Sequence, residues 1–386
     1  MDVHLFACFV SDRSTDISLR SRLLIGGAHG TWMLVLTVVT LSHFGLVTDD
    51  ESLLIQASTI ARQALMDPGS RSAYQDEFTF IDVAYDLAVV PKMDSDGFPL
   101  GEQAITDRAQ LAALFRLMNA FDVHRFVVCD VFFEAPSPND PPLEAELSRM
   151  RDVVVPYHLD GTGTPMMPVI DAPAALADYP QEMNSFLKFP IIQADSLETL
   201  PLHMHRALHP DRPLLESPLA LNTFVPDFRL PPQAIGSPVP LGHLLQLPDS
   251  VVAHDFLRDR IVVLGDFSGG SDLHQTVVGD VPGPLILANL YLSLREGDHR
   301  LPLSLLLLLW VVFGFLSYTV VTHADTEEDE DKIQTWAGAL RDLGTDGVQN
   351  TIILILVSLV AYFGYRVHLH VLFLAASLTI VGNAVQ

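Results

Sequence analysis

The chain is 386 residues long, room for more than one domain, and carries 47 acidic against 22 basic side chains, a formal net charge of −25. That acidity argues against nucleic acid or an anionic lipid surface as a partner of any soluble part, because both demand basic patches. With 49% hydrophobic residues, 18% charged residues and a mean hydropathy of +0.31, an all-soluble protein is excluded as well.

Residues 1–22 contain Arg13, Arg20 and Arg22 and precede the first long apolar run, residues 23–47. The positive-inside rule keeps this N-terminus cytoplasmic and exports the chain beyond the run. The run reads as an uncleaved membrane anchor. Its apolar core is too long for a signal peptide, and no small-x-small site precedes Asp49-Asp50-Glu51.

Residues 52–300 then form the exported domain. Ser52–Met66 has helical apolar spacing, and Phe78–Val83 is a β-rich run containing Asp82. Pro91–Gly101 is expected to be a turn-rich loop, after which Thr106-Asp107 opens a helix bearing Leu111, Leu114 and Leu117. Arg125–Phe133 is a buried strand carrying Asp130, followed by a proline-rich loop with Asp140, a helix over Leu143–Met150 and a strand over Asp152–Pro156. Strands alternate with helices, and the strands are continuously apolar. The fold class is therefore α/β, a mostly parallel sheet covered by helices, plus four transmembrane α-helices. The stretch His158–Leu247 is punctuated by prolines and shows no long element. Order returns with a strand over Arg260–Gly265 and a helix over Pro284–Glu296. The last three spans are 301–321, 348–365 and 367–386, each near the ~18 residues a membrane helix needs. Residues 322–347, with the run DTEEDEDK, form an acidic cytoplasmic loop.

Between the last strand and helix lies GDFSGGSD, residues 265–272. Ser268 as a nucleophile would need a partnered His and Asp, and Phe267 would displace its hydroxyl. A phosphate-cradling loop would end in Gly-Lys-Ser/Thr, whereas here Asp272 stands where an anion would sit. The simplest reading is a strand-to-helix turn using Gly265, Gly269 and Gly270. Cys8 and Cys129 are expected on opposite sides of the membrane, so no disulfide forms within the domain.

Taken together, these residues resemble the CHASE type 2 domain, an extracytoplasmic sensory module of bacterial receptors. The resemblance rests on Ile81-Asp82, on Asp130-Val131-Phe132-Phe133 with Asp140, and on Arg260–Gly265. Further matches are Asp272, His274, Thr276, Gly279, Pro282-Gly283 and Ala288-Asn289, with three closely spaced spans behind them. It implies a sensor. With the chain stopping at Gln386 directly after the last span, no output domain is expected. The reading is a multi-pass protein of the plasma (inner) membrane whose exported domain detects a ligand or envelope partner. Its signal would pass through the bilayer to a separate cytoplasmic or membrane signalling protein.

Asp82, Asp130 and Asp266 fall at the carboxyl ends of strands read as parallel, the edge that forms ligand crevices. With Asp140, Asp272 and His274 they are the candidates for holding a ligand or metal. No catalytic residue is assigned and no cofactor is required, although such carboxylates suit a divalent cation such as Mg²⁺ or Ca²⁺. The alternative function is a metal-dependent hydrolase of the cell envelope. The simpler role for strand-end aspartates is to cap turns and helices. His203 with His205, and His368 with His370, are weak zinc patterns expected at surfaces or interfaces. Finally, with only Arg366 between them, the last two spans are expected to pack as a hairpin. The contact would use Ser358, Ala361 and Gly364 on one helix and Ala375, Ala376 and Gly382 on the other, with Arg366 reaching lipid headgroups.

Overall fold

The structure, a computed structural model, describes residues 19–43, 49–65, 74–93, 96, 98–181, 185–193, 196–217, 219–270, 272–327 and 336–385. The chain forms two compact units, one of apolar helices and one α/β domain made by Gly45–Leu301 together with the short segment Tyr362–His368.

The strands that matter here are β1 (Phe78–Asp82), β2 (Leu87–Met93), β3 (Pro99–Thr106), β4 (Phe126–Cys129), β5 (Val153–Leu159), β6 (Pro165–Met166), β7 (Ala174–Leu176), β8 (Val239–Pro240), β9 (Ile261–Gly265), β10 (Leu273–Thr276) and β11 (Gly279–Pro282). The helices are α1 (Leu19–His43), α2 (Asp49–Leu65), α3 (Arg108–Phe121), α4 (Asp140–Leu147), α5 (Leu200–Leu208), α6 (Gly283–Glu296), α7 (Leu303–Glu327), α8 (Trp336–Tyr365) and α9 (Val371–Val385).

The main sheet runs β8-β1-β9-β4-β5, with β7 parallel and β6 antiparallel to β5 and every other pairing parallel. Register aligns Phe80, Val263, Val128 and Val154 in one row, and Ile81, Leu264 and Cys129 in the next. The first row points into a core filled by Leu200, Leu202 and Met204 of α5 and by Leu285, Ile286 and Leu290 of α6. The second points into a separate core with Leu111, Leu114, Phe115 and Met118 of α3 and Leu143 and Leu147 of α4. Both faces are dry, which is why the strands read as unbroken apolar runs. Asp107 starts α3 by accepting a hydrogen bond from the Ala109 N–H at 2.9 Å. Gly297, at φ 83°, ends α6 in the left-handed conformation that favours glycine.

Several expectations are corrected. The turn-rich loop over Pro91–Gly101 is largely the antiparallel hairpin β2–β3, a two-stranded ribbon whose open edge tolerates Pro91. The irregular middle holds α5, so His203 and His205 are helical and His205 is buried. Helix α7 continues to Glu327 and α8 starts at Trp336, so the expected acidic loop is partly helical; residues 328–335 lie outside the described residues, as do Cys8 and Arg13.

Against the four expected spans, two helices among the described residues are long and apolar enough to cross a membrane, Leu19–Ser42 and Val348–Tyr365. Leu303–Thr319 is a shorter apolar helix, and α9 has only 15 residues, about 22 Å at 1.5 Å per residue. Arg366 adopts a left-handed backbone (φ 63°) that ends α8, and α9 begins only at Val371. Val367 and His368 then belong to the α/β domain rather than to a span.

The small residues of the expected hairpin do other things. Ser358 accepts a hydrogen bond from the Leu369 N–H at 3.0 Å, while Gly364 is exposed and a Cβ there would meet nothing within 4 Å. The tight helix contact is instead α1 on α7. A Cβ on Gly30 would lie 2.6 Å from the Gly314 nitrogen, and Trp310 Nε1 donates to Thr31 Oγ1 at 3.0 Å.

Candidate functional site

Because β1, β9, β4, β5 and β7 are parallel, their carboxyl ends share one edge. A cavity of about 760 Å³ opens there, lined by Asp130, Asp266, Asp272 and His274 among the residues expected from sequence. The other two candidates are diverted into structure. Asp82 is buried, and its Oδ1 accepts from the Ala84 and Phe267 N–H groups, both at 3.1 Å, tying together the ends of β1 and β9. Asp140 opens α4, accepts from the Ser137 N–H at 2.6 Å and pairs with Arg108 at 3.0 Å.

The GDFSGGSD stretch is a capped turn. Asp266 accepts from the Gly269 N–H at 2.6 Å, and a Cβ on Gly269 would come within 2.7 Å of that carboxylate. Ser268 is exposed, and its carbonyl accepts from the Tyr85 hydroxyl at 3.3 Å. Gly265 is required by close packing, since a Cβ there would lie 2.2 Å from Pro284 Cγ. The Asp272 carboxylate lies against Gly283, where an added Cβ would be 2.3 Å from its Oδ2. Gly283 starts α6, so the chain supplies its own anion to the positive end of that helix.

The cavity lining also includes Arg108, Glu134, His158, Asp178, Tyr179 and Gln181, which are not among the sequence-derived candidates. Asp178 follows the three-residue β7, whose shortness hid its strand-end position. It accepts from the Leu159 N–H and bonds His158 Nδ1, each at 2.6 Å. That hydrogen bond holds the His158 pKa above its ordinary value against the opposing effect of burial. His274 bonds Asp272 through Nε2 at 2.7 Å and Gln181 through Nδ1 at 3.1 Å. With the Gln181 amide donating, the ring proton sits on Nε2 and is given to Asp272.

Tyr179 stands edge-on to His274, ring centres 5.0 Å apart, and its buried hydroxyl has no hydrogen-bond partner among the described residues. Burial, then the Asp272, Asp130 and Asp178 charges, raise its pKa, so it is held as a donor. Asp130 is pushed up to about 8, first by burial and then by the Asp272 charge, with His158 opposing. Burial thus favours the neutral form of the Asp130 carboxyl, and the negative charge nearby adds to that preference.

Arg108 is 1% exposed, sits 4.4 Å over the Phe133 ring, and donates to Asp140 and to the Ala135 carbonyl. Its charge is thereby largely compensated, and the cavity stays acidic through Asp178, Asp266, Asp272 and Glu134. Among the described residues, no three His, Cys, Asp or Glu side chains are grouped to hold a metal ion. Cys129, at the end of β4, is fully buried, and burial followed by the Asp130 charge pushes its thiol up to about 12. The arrangement can bind positive charge and hydrogen-bond acceptors in one enclosed place.

Comparison with known proteins gives one match. The family profile described as the CHASE2 domain covers residues 61–320, about two thirds of the chain, and includes every residue lining the cavity. No curated protein and no solved structure matches the chain.

Proposed function

The chain belongs to the CHASE2 domain family, a family of extracellular sensory domains, and from that premise we propose a membrane-bound sensor whose α/β domain binds a small, positively charged polar ligand. The binding place is the cavity at the carboxyl edge of the sheet. One observation carries this reading: an acidic cavity of about 760 Å³ into which a buried tyrosine hydroxyl is set with no partner among the described residues. A ligand ammonium between Asp130 and Asp272 pairs with both carboxylates as Asp130 gives up its proton to water, and an acceptor on the same ligand satisfies Tyr179.

Apolar helices Leu19–Ser42 and Val348–Tyr365 lie on either side of the domain in sequence. In the proposed topology the domain faces the extracytoplasmic side of the plasma membrane, and these apolar helices carry the signal to a separate cytoplasmic or membrane protein. Residues 322–347 are the proposed docking segment. The cavity's task is binding without turnover.

The test is thermal melting of the full-length protein in lipid nanodiscs against a panel of small amines, amino acids and divalent cations. A ligand at 100 times its dissociation constant stabilises by about 2.7 kcal/mol. At least one amine is expected to raise the melting temperature of the native protein, and Tyr179→Phe and Asp272→Asn are each expected to reduce that shift. Equal shifts in native and variant proteins, or none with any amine, sink the reading.

A further inference from the structure

Helix α6 reaches from the cavity to a second polar cluster. At its start, Gly283 and Leu287 line the cavity, and all residues from Gly283 to Leu294 are buried. One turn further on, Asn289 clamps the backbone of Leu230, accepting from its N–H and donating to its carbonyl, both at 2.8 Å. A further turn along, Ser293 Oγ accepts from the Asp227 N–H at 3.0 Å and donates to the Asp227 carbonyl at 3.3 Å. Segment 227–230 is thus bolted to α6 by two side chains four residues apart.

The Asp227 carboxylate gathers three guanidinium groups. Arg62 of α2 binds it through two bonds, at 2.7 and 3.0 Å; Arg366 Nε reaches it at 3.3 Å; and Arg229 lies 3.5 Å away while pairing with Asp298 at 2.6 Å. Arg366 comes from Tyr362–His368, the last turn of α8 and the start of its link to α9. Its Nη1 donates to the Phe363 carbonyl at 2.7 Å and to the Tyr362 carbonyl at 3.3 Å, closing the end of α8. This replaces the headgroup contact expected from sequence. The link also lies along one face of α2. The Tyr362 hydroxyl meets Thr59 at 2.7 Å, His368 Nε2 meets Ser58 at 3.0 Å, and the Tyr362 and His368 rings stack 4.4 Å apart. A mere turn would leave these polar groups to water. Here they bind the sensory domain.

We propose that Tyr362–His368 is a docked strap through which the sensory domain holds the chain of its two C-terminal helices, and that α6 is the rod that sets it. A displacement at Asp272 and Gly283 moves α6, which carries Asp227 through Ser293, and Asp227 moves Arg366. The ten residues from Gly283 to Ser293 span about 15 Å of rigid helix. The coupling rests on the cavity being the sensory site; the docking does not.

Hydrogen exchange of the full-length protein in nanodiscs, followed on peptides covering 362–370, separates the two. Arg366→Ala leaves Arg62, Arg229 and Asp298 around Asp227, and is expected to speed exchange in the strap at least about tenfold, the equivalent of one lost charged hydrogen bond, with cavity peptides unchanged. If that variant does not assemble, Ser58→Ala, which deletes the bond to His368, is expected to act in the same direction by a smaller factor. A strap that exchanges equally fast in native protein and variant overturns the docking. Asp272→Asn tests the rod, with an expected change of at least about threefold in the strap, lost when Ser293→Ala is added. An unchanged strap in Asp272→Asn overturns the rod and leaves the docking standing.

Discussion

Replacing Asp130 by asparagine keeps the shape of the side chain and removes the charge that the cavity tolerates least. The folded protein raises this carboxyl from 3.8 to about 8. A group whose folded pKa lies above its unfolded value contributes stability that is complete below the unfolded pKa and is lost as pH rises through the folded one. The window is therefore pH 4 to 8, and stability falls across it. Four units at about 1.36 kcal/mol each set an upper bound near 6 kcal/mol. Asp130 borders a cavity and shares its titration with Asp272 and His158, so about 2–3 kcal/mol is the working figure. For a domain of this size, that corresponds to roughly 4–12 °C in melting temperature.

The assay is thermal melting in nanodiscs at pH 5, 7 and 9, comparing native protein with Asp130→Asn. The two are expected to coincide near pH 5, where Asp130 is protonated and resembles asparagine, with the variant more stable by pH 9. Taking the difference between the proteins cancels every other titrating group. Parallel curves, or a variant that is less stable at pH 9 by the same margin as at pH 5, refute the raised Asp130 pKa.

Arg108→Met leaves the Asp140 carboxylate without its partner and is expected to cost about 3–5 kcal/mol in denaturant unfolding, with part recovered when Asp140→Asn is added. His205 and His299 are buried, and desolvation leads the causes that lower both to about 4. Their stabilising contribution is present above pH 6.5 and lost as pH falls through 4, so His299→Phe should move the acid-unfolding midpoint to lower pH, read by circular dichroism. In the helical unit, Gly30→Ala places a methyl 2.6 Å from the Gly314 nitrogen and is expected to destabilise the α1–α7 pair by about 1–3 kcal/mol. Gly27→Ala, with nothing within 4 Å, is the neutral control in the same detergent-unfolding measurement.

Sequence alone carried the pattern that neighbours along the chain create. The unbroken apolar runs at Phe78–Asp82, Phe126–Cys129 and Ile261–Gly265 announce strands covered on both faces, because each successive side chain must be dry. Asp107 before α3 and Gly283-Pro284 at the start of α6 announce helix ends by local backbone chemistry. Strand order and direction then put Asp130 and Asp266 on one edge. The role of each carboxylate there was settled in three dimensions. Asp82 and Asp140 looked equivalent to Asp130 in sequence, yet two backbone N–H groups claim one and Arg108 and a backbone N–H claim the other. His158 and Asp178 are 20 residues apart and become a pair only because β7 lies beside β5. Arg366 was equally compatible with a lipid phosphate or a carboxylate, since a guanidinium next to an apolar run needs only an anion within reach. Tertiary structure supplied Asp227, 139 residues away, because hydrogen-bond partners are chosen by distance in space and a sequence records only distance along the chain.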